Sequence, residues 1–229
     1  MRSALYALTA MTAGVAASRF GWWREHIGRA WMLFSLEFLC LLVNYVLRQT
    51  GPDAGIALNA TLVAANLAQI AAYWLMARVL ATAGIAQLIS RGTRASLTIA
   101  ALAVAVLLCH VSLLAQWDAI RSGHLQPGSL ISVLADVITF TLVAPLAMSA
   151  LTLRGGQLSW IFVFLTISVF GWMINTGAPS IAIVLGGGTE ALRAIRLAGV
   201  VIASLFNAAA AGAQSLATIR AMKGARADA

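Results

Sequence analysis

Seven times in 229 residues the chain returns to an apolar run close to bilayer-spanning length, over residues 3–23, 30–47, 55–78, 95–116, 130–153, 158–176 and 192–217. A transmembrane helix needs roughly 20 consecutive apolar residues. Residues of hydrophobic type make up 61% of the chain and charged residues 10%, against roughly 45–50% and 25% in a soluble domain. A soluble fold of this size has too little interior to hide that surface, so lipid must cover the rest. Inside lipid each backbone N–H and C=O must be satisfied within its own segment or a closed barrel, and runs this long point to helices. The sequence therefore predicts an all-α, polytopic transmembrane helix bundle of about seven spans.

The connectors carry turn chemistry: Gly51-Pro52-Asp53, Gly123 with Pro127-Gly128, Gly155-Gly156, and Gly177-Ala178-Pro179 followed by Gly186-Gly187-Gly188. None is long enough for a soluble domain. We expect one transmembrane helical domain over 1–220 and a short basic cytoplasmic tail over 221–229. Apolar texture resumes at Val79 and runs to Ile89, so the third helix is either long or turns along the interface. Arg2 before an apolar stretch and Val15-Ala16-Ala17 resemble a secretory signal. The apolar character continues through Phe20, Trp22 and Trp23, which favours a first span.

Fourteen Arg and one Lys against seven acids give a net charge of +8. In a soluble chain that balance suggests nucleic acid; here the basic residues fall between apolar runs, where membrane lipids are the expected partner. With seven spans, one side holds ten of them (Arg19, Arg24, Arg29, Arg78, Arg91, Arg94, Arg154, Arg220, Lys223, Arg226) and the other five (Arg2, Arg48, Arg121, Arg193, Arg196). The positive-inside rule then places the N-terminus outside and the C-terminus in the cytoplasm, as for a bacterial cytoplasmic (inner) membrane protein. Trp22, Trp23, Trp31, Trp74, Trp117 and Trp160 fall near span ends, where interfacial anchors belong.

Ionisable groups within the hydrocarbon are costly unless paired or wet, and so mark function. Glu37, His110 and Asp136 qualify. Glu37, Cys40 and Asn44 share one helix face, as do Asn59, Asn66, Gln69 and Tyr73 on the third helix and Ser132, Asp136 and Thr139 on the fifth, where Pro145 predicts a kink. For the amides and hydroxyls, hydrogen bonds between helices are explanation enough, at about 0.6 kcal/mol each. A carboxyl is a costly way to make such a contact, so Glu37 and Asp136 read as functional, either protonated or facing water. His110 is a proton acceptor or a hydrogen-bonded core imidazole. A single mid-membrane His cannot form a two-His haem site, since His26 and His124 lie in predicted loops, and no cofactor is expected.

Thr189 is a natural N-cap for the last helix. With Gly187, Gly188, Arg193 and Arg196 it offers a candidate anion site at a helix N-terminus; the alternative is a loop whose arginines meet headgroups. Ala208 to Ala211, Gly212 and Ala213 permit close helix packing. Cys40 and Cys109 have no metal-type or redox-type spacing, and nothing resembles a nucleotide loop, zinc site or catalytic triad.

Two seven-helix architectures bear comparison. Retinal-binding microbial rhodopsins carry their chromophore on a lysine of the last helix, whereas Lys223, in the tail, is the lone Lys here. Sugar transporters of this topology join two three-helix repeats through a linker helix. Asn44 before Thr50-Gly51-Pro52 echoes Asn175-Thr176-Gly177-Ala178-Pro179, and Asn66 and Asn207 fall in corresponding spans. The match is gapped and the Pro-Gln dipeptide of that family is missing, so membership is not inferred.

The expectation is a carrier or channel for a small solute or ion, proton-coupled through Glu37 and Asp136, with a midplane cavity lined by Asn44, Asn66, His110, Trp172 and Asn207. The alternative is a non-enzymatic sensor or accessory subunit of a larger membrane complex, with a protein partner or a second copy of itself. An intramembrane enzyme built on His110 and the two carboxyls comes third.

Overall fold

The computed structural model describes residues 1–50, 55–82, 90–152 and 157–227; the connectors at Gly51-Pro52-Asp53 and Gly155-Gly156, and most of the stretch from Val79 to Ile89, lie outside them. Seven helices follow in order: α1 (Arg2–Arg19), α2 (His26–Thr50), α3 (Gly55–Thr82), α4 (Arg91–Arg121), α5 (Pro127–Thr152), α6 (Gln157–Val184) and α7 (Thr189–Ala227). No strand occurs among the described residues. All but α1 are long and apolar enough to cross a membrane, making this by length and composition a multi-pass membrane protein. In α1, Arg2 and Arg19 both fall within 18 residues. It nevertheless packs into the bundle along Tyr6, Thr9, Ala10, Ala13, Ala16 and Ala17.

Helix adjacency closes a ring: α1 packs on α2, α2 on α3, α3 on α5, α5 on α6, α6 on α7 and α7 on α1. Helix α4 stands outside, against α5 and α6. The sets α1–α3 and α5–α7 thus occupy equivalent places, joined by the α3–α5 and α7–α1 contacts. The tightest approach is between α6 and α7. A Cβ on Gly171 would sit 2.4 Å from the Ala203 nitrogen, and one on Gly199 would sit 2.6 Å from the Asn175 nitrogen. Only a residue without a side chain lets two backbones meet so closely.

Several boundaries differ from the sequence reading. Gly177-Ala178-Pro179 lies within α6, which runs on to Val184. Pro179 offers no N–H to the Asn175 carbonyl one turn earlier, and a helix surrounded by neighbours tolerates that loss. Gly177 instead provides room for α4, since a Cβ there would stand 3.0 Å from the Leu108 carbonyl oxygen, while the Ser112 hydroxyl donates to the Thr176 carbonyl at 2.7 Å. Helix α7 continues through the expected tail to Ala227. His26 begins α2 rather than standing in a loop. Helix α5 runs on past Pro145, whose side chain lies outside the described set.

Of the expected interfacial tryptophans, Trp22, Trp23, Trp74, Trp117 and Trp160 are exposed, and the Arg78 guanidinium lies 5.4 Å from the Trp74 ring centre. Trp31 is the exception, fully buried with its ring centre 5.4 Å from that of Phe34. A place near a span end says nothing of the face of α2 that carries Trp31.

The larger of two buried apolar clusters fills one end of the bundle, and the smaller, with Tyr6, Phe38 and Trp172, lies toward the other. Trp31, Phe34, Tyr73, Met76, Ile161, Leu165 and Met173 belong to the larger cluster, closed by Ala13, Ala16, Ala17, Ala210 and Ala211. Apart from Met173, just past the middle of α6, these come from the C-terminal halves of α1, α3 and α7 and the N-terminal halves of α2 and α6, so they occupy a common level.

Candidate functional site: a polar cavity open at one end

At the opposite end the helices part around a cavity of about 760 Å³ to which all seven contribute. Its rim carries Arg2, Arg48, Gly55, Gln126 and Arg196, residues at the ends of α1, α2, α3, α5 and α7. Its floor carries Glu37, Gln69, Asp136 and Trp172. Glu37 stands eleven residues before Arg48, about 16 Å along a helix axis, roughly half the hydrocarbon thickness. The wall between is rich in amides and hydroxyls, among them Asn59, Asn66, Gln116, Ser129, Ser132, Asn175 and Thr176.

Each carboxyl is placed by its own helix, in contrasting surroundings. Asp136 is buried on α5, where it accepts from the Gln69 side-chain nitrogen of α3 at 3.4 Å and from the Thr176 hydroxyl of α6. Glu37, on α2, is 1% exposed, and neither of its oxygens has a hydrogen-bond partner. The two acids lie within electrostatic reach of each other. Around Glu37 other buried polar atoms also stand unpartnered: the Trp172 indole N–H, the Tyr73 hydroxyl and the Asn207 amide oxygen. Tyr73 lies close to Ser168 and Asn207, outside hydrogen-bond geometry. Such groups usually find partners, because burying them unmade costs about 1–3 kcal/mol each. Ser204 Oγ and, in the packed layer, Trp31 Nε1 are unpartnered too, so unmade polar groups run from the cavity floor into the layer beneath it.

The remaining polar wall is mostly self-satisfied. Asn66 donates to the Leu62 carbonyl at 2.7 Å and to the Ser132 hydroxyl at 2.8 Å, tying α3 to α5. Asn44 donates to the Leu58 carbonyl and the Thr61 hydroxyl, at 2.8 and 2.9 Å, and accepts from Arg48 Nε at 3.0 Å. Asn44 therefore holds α2 to α3 and positions Arg48. The Gln116 side chain donates to Ser129 at 2.9 Å. Tyr6 and Trp172 flank Phe38, each ring centre 6.2 Å from it, and give the cavity an aromatic wall.

The structure thus brings Glu37, Asn44, Asn66, Asp136 and Trp172 to one cavity. Asn207 is buried below the floor and is not among the lining residues. His110 stands apart: exposed on α4, it places Nδ1 2.7 Å from its own Leu107 carbonyl and 3.4 Å from the Ser180 hydroxyl. Helix α4 does reach the cavity, through Val111, Ser112, Ala115 and Gln116, but His110 is on the face turned away from it.

The candidate anion loop divides in the same way. Gly186 takes φ +63°, with its N–H on the Ile183 carbonyl at 3.1 Å and the Gly187 N–H on the Ala182 carbonyl at 2.9 Å. That is a Schellman cap ending α6, and it commits the Gly187 N–H to the helix. The Leu192 N–H bonds to the Gly188 carbonyl, so the cap of α7 is Gly188 rather than Thr189. Arg193 is exposed away from the cavity, whereas Arg196 lines its mouth.

Sequence reasoning missed Tyr6, Arg2, Arg48, Asn175 and Thr176 as cavity residues. For Arg48 a signal existed, since it falls one turn after Asn44 on the same face. For Thr176 none did, because the Gly and Pro that follow it read as a helix end. Among the described residues no cluster of His, Cys, Asp and Glu could hold a metal ion, and both cysteines are free thiols. Compared with known proteins, the chain matches no family model, no curated protein and no solved structure.

Proposed function

We propose that the protein is a carrier for a small polar solute, inserted with seven spans, N-terminus outside and C-terminus in the cytoplasm. The cavity then faces outside, in a conformation open to that side. The observation that supports this most is its one-sidedness: a polar cavity runs from the rim to Glu37 and Asp136, and a packed layer of Trp31, Phe34, Tyr73 and Met76 lies beyond. A channel needs a continuous path, whereas a carrier needs a site near the midplane reached from one side at a time. Glu37 and Asp136 are the protonatable groups at that site, which makes proton coupling the natural energy source.

The test is solute-driven pH change in proteoliposomes, with the wild-type protein and with Glu37→Gln and Asp136→Asn. Loss of coupled proton movement in both variants, with each still folded by size-exclusion chromatography, supports the assignment; unchanged movement in both rejects it. A second reading rests on α4, of whose apolar window only 17% is buried within the chain. That face suits a protein partner as well as lipid, so a sensor or accessory subunit remains the competing role. Co-purification in a stoichiometric complex that shows no flux would favour it.

A further inference from the structure

Building on the carrier reading, we propose that the cavity selects small organic anions, which Arg2, Arg48 and Arg196 bind at its mouth. The three guanidiniums come from α1, α2 and α7 and line one opening. No carboxylate pairs with any of them among the described residues. Arg48 is turned back along its helix by the bond from Nε to Asn44, whose own two donated bonds fix it against α3. This guanidinium is thus held over the cavity rather than spread toward headgroups. Tyr6 lies between the two charged levels, with Arg2 and Arg48 on one side and Glu37 on the other, all within electrostatic reach of its hydroxyl.

Arg193 is the internal control: one turn before Arg196 on the same helix and equally exposed, it does not line the cavity. Convergent unpaired guanidiniums over low-dielectric walls concentrate anions and form charge-assisted, often bidentate bonds to carboxylates or phosphates. The amide and hydroxyl wall and the rings of Tyr6 and Trp172 suit an organic anion with hydroxyl groups better than a bare inorganic one. The carboxyls lie at the floor beneath it, Asp136 hydrogen-bonded and Glu37 buried without a partner.

The charge preference can be read without knowing the solute. Cys40 and Cys109 are first replaced by Ala, and one new cysteine is placed in the cavity wall as Ser132→Cys, or as Ser129→Cys should the first not fold. The protein in phosphatidylcholine nanodiscs is then labelled with an anionic sulfonatoethyl and a cationic trimethylammonioethyl methanethiosulfonate. The ratio of their rates is normalised to that for a free small thiol. The expected ratio favours the anionic reagent by about tenfold and collapses toward unity with Arg2→Gln and Arg48→Gln together, while Arg193→Gln leaves it unchanged. A ratio at or below unity overturns the anion assignment and leaves the cavity standing. No labelling by either reagent overturns the water-open cavity itself, and the carrier reading with it. Repeating the experiment with phosphatidylglycerol separates two sources of the anion. A preserved ratio assigns the guanidiniums to a soluble anion, and a suppressed one to a lipid phosphate.

Discussion

The two ends of the bundle are made of the same helices yet solve opposite problems. Toward the C-terminus of α2, side chains facing the axis are Glu37, Leu41, Asn44 and Arg48, and they line a cavity. Toward its N-terminus they are Ala30, Trp31 and Phe34, all fully buried in a core cluster. Helix α3 makes the same change in the other direction, from Asn59, Asn66 and Gln69 to Tyr73 and Met76. The open end is held by hydrogen bonds between helices and by the backbone contact of Gly171 with Gly199; the closed end is held by aromatic packing. Stability and access are therefore carried by different residues, and substitutions should separate them.

The largest expected effect is at the closed end. Phe34 packs edge-on against Tyr73 at 4.9 Å and against Trp31 at 5.4 Å, so Phe34→Ala should cost roughly 3–5 kcal/mol. Thermal unfolding in mild detergent would show it as a large fall in midpoint. Gly171→Val comes next: its Cβ would meet the Ala203 nitrogen at 2.4 Å, and overpacking of this kind costs about 1–3 kcal/mol. If instead Gly171→Val melts with the wild type, the α6–α7 contact is not what holds the open half together.

Glu37→Gln sharpens the contrast in the other sense. It removes an acid whose oxygens have no partner, so the melting midpoint should hold or rise while coupled flux is lost. A falling midpoint with intact flux would make Glu37 a structural residue. The smallest effect belongs to the polar wall: Ser132→Ala deletes the acceptor of the Asn66 bond and should cost about 0.6 kcal/mol, a shift at the edge of what unfolding resolves.

How much of this was legible in the sequence follows the physics of each signal. Apolar length is a one-dimensional property, and it gave the helices to within a turn or two, except at the ends of α6 and of α7, which runs on through a polar tail. In α6 a Gly-Ala-Pro stretch that ends a helix in water is tolerated inside a bundle. Periodicity gave the inward faces of α2, α3 and α5, because polar and apolar residues alternate clearly there. It could not tell which helices form the ring. Position along the span alone puts His110 in the cavity and Trp31 at the interface; both depend on neighbours that no local pattern encodes. Arg196 was picked out, but with the glycines before it, which serve to cap α6 and start α7 instead.

Whether water reaches one end and not the other is measurable on the aromatic residues that divide between them. Hydroxyl-radical footprinting of the protein in nanodiscs, read by mass spectrometry, reports solvent at each ring. Tyr6, Tyr45 and Trp172 line the cavity, whereas Trp31, Phe34 and Tyr73 belong to the closing layer. The expected result is oxidation of the first three and protection of the second three. Oxidation of Trp31 and Phe34 at the rate of Trp172 would contradict a cavity closed at its inner end.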